Sequence, residues 1–203
     1  MSSVDETVAA LGAGRPVVLP FDTVYGLAAE PYREESTRRL YELKGRAETQ
    51  PTALVAADVS VLLDCIPELR GRAATQLRLL LPGPVTLVVP NPERRFRWLT
   101  GTNPEAIGVR VPQLTGAGND VLERAGALVA TSANKPGERD PRRLEDVPAE
   151  IRAGAAAAID GGELPGTPST VVDITGRKPR VLREGALPLD EVLRRLGAAV
   201  RST

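Results

Sequence analysis

The segment that decides the fold of this chain is LPFDTVYGL, residues 19–27. An apolar run ends at Pro20, and a glycine follows near the end of the segment. Between them stand three polar side chains, those of Asp22, Thr23 and Tyr25. Proline and glycine interrupt regular structure, and Asp and Thr cap helices, so a strand-to-helix turn would explain the pattern. The alternative is the lip of a ligand pocket, because binding residues favour loops at strand ends.

Helix and strand patterns alternate along the rest of the chain. Ser3 and Glu6 have the spacing of a capping box, which predicts a first helix that ends near Gly12. Apolar positions at helical spacing predict further helices over about residues 34–43, 68–81, 121–125, 144–153 and 189–196. Short apolar runs predict strands over about residues 16–20, 53–57, 85–89, 106–111, 128–131, 155–160, 170–174 and 180–182.

This alternation predicts an α/β (α+β) fold. About seven strands interleaved with about six helices are typical of a three-layer domain. The short connections between strands late in the chain imply that the sheet is mixed. Because we find no internal repeat and no linker-like break, we expect a single domain over residues 1–203.

The composition excludes several classes of partner. Lys plus Arg and Asp plus Glu balance at 26 each among 203 residues, so no overall field attracts nucleic acid or anionic membrane. Any anion site must therefore be local. Cys65 is the single cysteine, which excludes an internal disulfide and fits a reducing compartment. The N-terminal residues contain early acids and no long apolar core, so we expect no signal peptide, no membrane anchor and a cytoplasmic location.

The absence of histidine constrains the chemistry. A Ser-His-Asp triad, a Cys-His pair and a His-ligated zinc site are all excluded. General acid or base catalysis would require Asp, Glu, Lys or Tyr, or the substrate would supply its own nucleophile. We therefore expect any enzyme built on this chain to act mainly by positioning and by stabilising charge.

Two basic residues follow the second predicted helix in LKGRAETQP, residues 43–51. Lys44 and Arg46 flank a glycine there, and basic residues at a helix C-terminus commonly complement the helix dipole. The same pair also suits a triphosphate, because arginine offers a planar fork and lysine a point charge. The sequence leaves both interpretations open.

Small polar residues border two buried strands. In ALVATSANKPGE, residues 127–138, four apolar positions lead into Thr131, Ser132 and Asn134. In PSTVVDIT, residues 168–175, Ser169 stands at the entry to a strand. Such residues are turn formers, and they are also the groups that hold a ribose, a phosphate or an amino acid by hydrogen bonds.

Two arginines interrupt apolar strands. Arg110 does so in IGVRVP and Arg183 in VLREG. Because a buried, unpaired guanidinium is costly, each must meet an anion or leave the core. A P-loop, a Rossmann glycine fingerprint and a cluster of metal ligands are absent from the sequence, so a nucleotide would bind without those motifs.

Taken in order, a set of motifs resembles the YrdC-like family, the threonylcarbamoyl-AMP synthases, in its single-domain form. They are PFDTVYGL, KGR, LLPGPVTLVVP, IGVRVP, TSAN, IDGG, STVVDIT and VLREG, within roughly residues 5–185. The resemblance implies a three-layer domain with a twisted, mixed sheet around a positively lined groove. It also implies a nucleotidyltransferase that converts L-threonine, bicarbonate and ATP, with Mg²⁺, into threonylcarbamoyl-AMP and pyrophosphate for tRNA threonylcarbamoyladenosine modification.

The resemblance also assigns roles to residues. The KxR and SxN signature falls on the residues that we assign to catalysis and to the nucleotide, Lys44, Arg46, Ser132 and Asn134. Further nucleotide-binding residues are Arg110, Thr131 and Arg183. The threonine substrate is assigned to Thr23, Ser169 and Tyr25, the last as part of the wall. We expect Lys44→Ala and Arg46→Ala each to lower turnover strongly while thermal stability stays nearly unchanged.

The sequence departs from the family pattern beside the assigned site, at Phe21, Ala47, Gln50 and Pro168. These departures keep a second hypothesis open, a divergent paralogue that acts on another carbamate or nucleotide. A third is a non-catalytic module with weak RNA binding, which the zero net charge and 3% aromatic content favour little. A downstream tRNA threonylcarbamoyl transferase complex is a conceivable partner. The metal ligands stay unassigned, with Asp22, Asp160 and Asp173 as candidates.

Overall fold

The structure, a computed structural model, describes residues 2–197. Both ends of the expected domain, Met1 and residues 198–203, lie outside the described residues. The helices are α1 (Val4–Gly12), α2 (Glu34–Lys44), α3 (Val59–Cys65), α4 (Gly71–Leu80), α5 (Gly116–Ala125), α6 (Ala149–Gly154) and α7 (Leu189–Arg195). The strands are β1 (Val17–Pro20), β2 (Tyr25–Ala29), β3 (Ala53–Ala56), β4 (Val85–Pro90), β5 (Ala106–Arg110), β6 (Ala127–Ser132), β7 (Ala157–Ala158), β8 (Thr170–Asp173) and β9 (Arg180–Arg183).

One mixed sheet organises the described residues. Its strand order is β7-β1-β2-β6-β3-β5-β4-β8-β9. The pairs β1/β7, β3/β5 and β4/β8 are parallel, and the remaining neighbours are antiparallel. The predicted mixed α/β fold is therefore confirmed, with nine strands rather than about seven.

The opening segment forms a hairpin, so the interpretation as a strand-to-helix turn is wrong. β1 ends at Pro20, the chain turns, and β2 starts at Tyr25 and pairs antiparallel with β1. All five residues of β2 are buried, and its sequence YGLAA shows neither β-branched residues nor polar alternation. A strand that is buried on both faces and built from small residues lacks the period of two by which strands are recognised.

One helix was missed by the sequence analysis, and another begins earlier than predicted. The short helix α3 was not predicted, although Asp58 caps it by accepting a hydrogen bond from the Val61 N–H at 2.9 Å. α5 begins at Gly116, five residues before the predicted start. The prediction missed its first turn because the glycines and the asparagine there have low helix propensity. The predicted capping box of α1 is confirmed, with the Glu6 N–H donating to Ser3 Oγ at 3.2 Å.

The two faces of the sheet differ in how they are covered. On one face, α2, α3, α4, α6 and α7 pack against strand residues such as Leu27, Leu54, Leu87 and Val109. On the other face, α1 and α5 pack on Val17, Leu19, Val55 and Leu128, mainly along β1, β3 and β6. The alternate positions of β4 and β5 on this second face belong to neither buried cluster. Part of the second face is therefore left open.

Across residues 2–197, every helix is too short or too polar to cross a lipid bilayer.

Candidate functional site

A cleft of about 430 Å³ lies on the open part of the sheet. Its floor contains small residues from adjacent strands, Gly26, Ala53, Ala106, Gly108 and Ala130, beside the valines Val55, Val88 and Val171. Its polar lining comes from strand ends and loops, namely Thr23, Arg46, Thr52, Thr86, Thr100, Asn103, Arg110, Thr131, Ser132, Asp140, Ser169 and Arg183. The opening segment forms part of the edge of this cleft, as one of the two interpretations of its sequence predicted, because Phe21, Thr23 and Val24 line the cleft.

Arg110, the arginine that interrupts β5, meets a carboxylate from the opening segment. Its guanidinium donates to Asp22 Oδ1, and to Thr23 Oγ1 at 3.0 Å. The other carboxylate oxygen of Asp22 accepts from the Gln113 N–H at 3.0 Å. The side chains of Arg110 and Asp22 are only 11% and 9% exposed. Burial lowers the pKa of Arg110, and the Asp22 carboxylate opposes that shift.

This ion pair leaves part of the guanidinium free. The Nε atom of Arg110 is buried and has no hydrogen-bond partner. Arg110 lines the cleft, so its positive charge acts on an anion bound there, whereas the Nε atom itself is enclosed by protein.

Ser169 and Arg183 form a second group at the same end of the cleft. The Arg183 guanidinium donates to the Ser169 carbonyl oxygen at 2.7 Å and to Ser169 Oγ at 3.3 Å. The Ser169 hydroxyl also lies 2.9 Å from the hydroxyl of Thr86 on the neighbouring strand β4. Two guanidinium groups thus approach one end of the cleft, where Asp22 supplies the counter-charge for one of them.

Arg46 and Ser132 line the opposite end. Arg46 follows the left-handed Gly45 (φ 68°) that ends α2, and it donates to the Pro51 carbonyl oxygen at 2.7 Å. Its Nε atom is buried without a partner. Ser132 is the last residue of β6 and pairs with Gly26 of β2. A guanidinium with one hydrogen bond to the protein is well suited to phosphate oxygens, whereas the Ser132 hydroxyl already donates to Asn134 Oδ1.

Lys44 lies behind this end of the cleft and does not line it. The side chain is 2% exposed, and its ammonium donates to the Ser132 carbonyl, the Asn134 carbonyl and Asn134 Oδ1 at 2.5, 2.7 and 2.9 Å. Asn134 Oδ1 also accepts from the Ser132 hydroxyl at 2.6 Å. All three ammonium donors are therefore used to hold the turn that carries Ser132.

Burial also affects the charge of Lys44. Desolvation, with a contribution from the nearby Arg46 charge, lowers the pKa of Lys44 to about 8. The three oxygen acceptors favour the ammonium form, because a neutral amine has two N–H donors for three acceptors.

Tyr25 points away from the cleft, although it belongs to the opening segment. Its hydroxyl lies 3.0 Å from Asp160 Oδ1 and accepts from the Gly161 N–H at 2.9 Å. Burial raises the pKa of this phenol to about 12. In this structure Tyr25 fixes the turn at residues 160–162 and does not line the wall.

The structure brings most of the predicted site residues to one cleft. Lining it are Thr23, Arg46, Arg110, Thr131, Ser132, Ser169 and Arg183. Three lie outside the lining, namely Tyr25, Lys44 and Asn134, of which Lys44 and Asn134 support the turn of Ser132. Sequence reasoning missed Thr52, Thr86, Thr100, Asn103 and Asp140, which stand outside the motifs used or at ordinary strand positions.

The departures from the family pattern divide into two groups. Phe21 and Pro168 line the cleft, and the Phe21 ring centroid lies 6.0 Å from the Arg110 guanidinium carbon. Ala47 and Gln50 are exposed and do not line it.

The candidate metal ligands are engaged elsewhere. Asp22 is paired with Arg110, Asp160 bonds Tyr25, and Asp173 accepts from Thr175 and Arg180. Within residues 2–197, no group of three or more His, Cys, Asp or Glu residues is placed to hold a metal ion. Asp140 is the carboxylate that lines the cleft within this range.

Comparison with known proteins places the chain among relatives. Residues 9–185 match the Sua5/YciO/YrdC family model, which is described as telomere recombination. A threonylcarbamoyl-AMP synthase of Pyrococcus abyssi is 34% identical over 185 residues, which are 91% of this chain and 54% of that protein. A threonylcarbamoyl-AMP synthase of Halorhodospira halophila is 33% identical over 89% of this chain and 93% of its own length.

A solved structure agrees with these relationships. The crystal structure of Pyrococcus abyssi Sua5 complexed with L-threonine is 31% identical, with a TM-score of 0.87 over 96% of this chain and 57% of that chain. This chain thus spans little more than half of the Pyrococcus protein. Because the family model matches most of the chain and the fold agrees throughout, the chain belongs to the Sua5/YciO/YrdC family.

Proposed function

We propose that this protein is an L-threonylcarbamoyladenylate synthase, an enzyme of the nucleotidyltransferase class. It would convert L-threonine, bicarbonate and ATP into threonylcarbamoyl-AMP and pyrophosphate for tRNA modification. The observation that carries the proposal is one cleft with a cationic group and hydroxyls at each end, separated by a floor of small residues. The names of the relatives, and the threonine bound to the Pyrococcus protein, support the same substrates.

The end formed by Arg110, Thr23 and Ser169 is the place for threonine. The positive charge of Arg110 would attract a carboxylate there, and the Ser169 and Thr23 hydroxyls would serve the polar atoms of the amino acid. The two guanidinium groups outnumber the single Asp22 carboxylate, so this end has a net positive charge to offset. We therefore move Arg110 from the nucleotide to the amino-acid side of the proposed site.

The end formed by Arg46, Thr131 and Ser132 is the place for the phosphates of ATP. The Arg46 guanidinium lines this end and makes one hydrogen bond, to the Pro51 carbonyl, and Ser132 stands on a turn fixed by Lys44 and Asn134. Arg183 bonds Ser169 at the other end of the cleft, so we assign it to the amino acid and not to the phosphates. Lys44 and Asn134 would act on the nucleotide through the Ser132 turn.

The proposed chemistry fits a chain without histidine. Bicarbonate and the unprotonated threonine amine condense to a carbamate with loss of water, and a carbamate oxygen then attacks the α-phosphorus of ATP. The bond from that phosphorus to the bridging oxygen breaks, and pyrophosphate leaves with the electron pair. The protein therefore needs to align two bound substrates and to stabilise anionic oxygens, which the arginines at both ends are placed to do.

Magnesium would enter with the triphosphate. Mg²⁺ is commonly held by substrate phosphates, water and one or two carboxylates, and Asp140 is a carboxylate in the cleft lining. Bound there, the ion would neutralise charge on the phosphates. Among residues 2–197, the protein ligands alone are too few to form a dedicated metal site.

Pyrophosphate release tests the proposal. Purified protein is supplied with ATP, Mg²⁺ and bicarbonate, with and without L-threonine. We expect release only when threonine is present, because the carbamate is the nucleophile. Release that is independent of threonine, or no release from folded protein that binds ATP, would contradict the proposal.

A divergent paralogue is the second candidate, and Phe21 and Pro168 favour it because both line the cleft beside Arg110 and Ser169. The same assay with other amino acids in place of threonine separates the two. Turnover with another amine and none with threonine would select the paralogue. We further propose that the chain forms one domain, that it works in the cytoplasm, and that a tRNA-modifying transferase consumes the product.

A further inference from the structure

Gly108, in the middle of β5, has no structural need to be glycine. Its φ lies outside the left-handed region that favours glycine. A Cβ added there would meet its nearest neighbours, the Ala53 Cα and the Thr86 Cγ2, at 3.7 Å, which is ordinary van der Waals contact. Glycine weakens the interior of a strand, so its presence here calls for another reason, and a common one is the close approach of a ligand.

The other strand glycine of the cleft floor has a structural explanation. A Cβ at Gly26 would lie 2.5 Å from Cε2 of Phe21, so the packing of that ring requires glycine. Gly108 lines the same cleft, but the space that a Cβ would fill lies above the floor and is open.

The register of the sheet places Gly108 between the two ends of the cleft. Gly108 pairs with Ala53 of β3 and with Val88 of β4, and Ala53 pairs with Ala130 of β6, so these four positions form one row across the floor. Ser132 and Ala106 lie two residues along the strands from this row in one direction. Arg110 lies two residues from it in the other direction. Two residues of strand cover about 7 Å, so Gly108 stands midway between the two groups.

We propose that Gly108 provides the clearance for the reacting centre, where the carbamate oxygen bonds to the α-phosphorus of ATP. The inference rests on the proposed function, which puts threonine at the Arg110 end and the phosphates at the Arg46 end. The two substrates then meet over the middle row. Each substrate alone is held mainly by the polar groups at its own end, so a methyl group at the middle row would obstruct their approach more than the binding of either.

The test compares Gly108→Ala with wild type and with Gly12→Ala. Gly12 lies in α1 outside the cleft, and a Cβ there meets nothing within 4 Å. Three quantities are measured: the unfolding midpoint, the dissociation constants of ATP and of threonine measured separately, and kcat for threonine-dependent pyrophosphate release.

We expect Gly108→Ala to unfold at or above the wild-type midpoint, because alanine restricts the unfolded chain and fits its surroundings. We expect kcat to fall on the order of 100-fold, because a small displacement of the reacting atoms has an effect of that size. We expect the dissociation constants of ATP and of threonine each to change by less than about threefold. Gly12→Ala should retain wild-type kcat.

Two outcomes would overturn the inference. One is an unchanged kcat in Gly108→Ala. The other is a dissociation constant, for ATP alone or for threonine alone, that rises by the same factor as kcat/KM falls. Gly108 would then make room for that one substrate and not for the reacting centre. A wild-type protein without threonine-dependent release counts against the proposed function itself, whereas an active wild type with a fully active Gly108→Ala counts against this inference alone.

Discussion

Replacing Arg110 with alanine should abolish measurable threonine-dependent pyrophosphate release and also lower the free energy of unfolding by about 3–5 kcal/mol. The first effect follows because Arg110 supplies positive charge at the amino-acid end of the cleft and holds the Thr23 hydroxyl there. The second follows because Asp22, with a side chain only 9% exposed, would be left as an uncompensated buried charge. Chemical denaturation and the pyrophosphate assay measure the two effects separately.

The double variant Arg110→Ala/Asp22→Ala separates the binding role from the structural role. Removing both partners should recover most of the lost unfolding free energy without restoring turnover. Arg94→Ala is the matched control, because Arg94 forms an exposed ion pair with Glu105 and should change both quantities little. Recovery of turnover in the double variant would show that Arg110 acts only by neutralising Asp22.

Replacing Lys44 with methionine should lower kcat about 100-fold or more and destabilise the protein. The change leaves two backbone carbonyls and Asn134 Oδ1 without their ammonium donor, and each buried group left unsatisfied costs about 1–3 kcal/mol. The turn that carries Ser132 would then lose its anchor. This revises the sequence-based expectation that thermal stability would be unchanged, which we now keep for Arg46→Ala, because Arg46 is only partly buried and lines the cleft.

Lys135→Met is the matched control for Lys44. Lys135 belongs to the same turn, but its ammonium pairs with Glu150 at 3.0 Å and does not contact Ser132 or Asn134. A pH profile adds a readout that loss of folding would not produce. Burial lowers the pKa of Lys44 to about 8, so the ammonium is deprotonated as the pH rises through about 8. The neutral amine has one N–H donor fewer for the Ser132 turn, and kcat should therefore decline over this pH range. The residual activity of Lys44→Met should lack this decline; a full kcat in that variant, or the same decline, would contradict the role.

The sequence was sufficient to predict the class of fold and the approximate content of the site. Strand β4 was predicted because VTLVVP is a short apolar run, although its side chains alternate between the helix-covered face and the open face. Strand β2 escaped prediction because YGLAA is buried throughout and carries no alternation. The final sheet order also brings β4 and β8 together across about 80 residues of chain, which local patterns do not encode.

The partners of buried charges were the least predictable part. Arg110 was expected to meet an anion, and the structure provides Asp22, which lies 88 residues away along the chain. The two signature residues Lys44 and Asn134 bond each other behind the cleft, although their motifs gave no sign of which one would face it. Tyr25 stands between two lining residues, but strand alternation turns its side chain to the opposite face.

The most direct test of the central claim is mass detection of the nucleotide product formed from isotopically labelled bicarbonate, L-threonine and ATP. We predict a threonylcarbamoyl-adenylate that carries the label in its carbamoyl carbon, formed together with an equal amount of pyrophosphate. An adenylate that forms without incorporating the label, or AMP and pyrophosphate formed with no threonine-containing product under conditions that preserve the adenylate, would contradict the proposal that a carbamate of threonine is the nucleophile in this cleft.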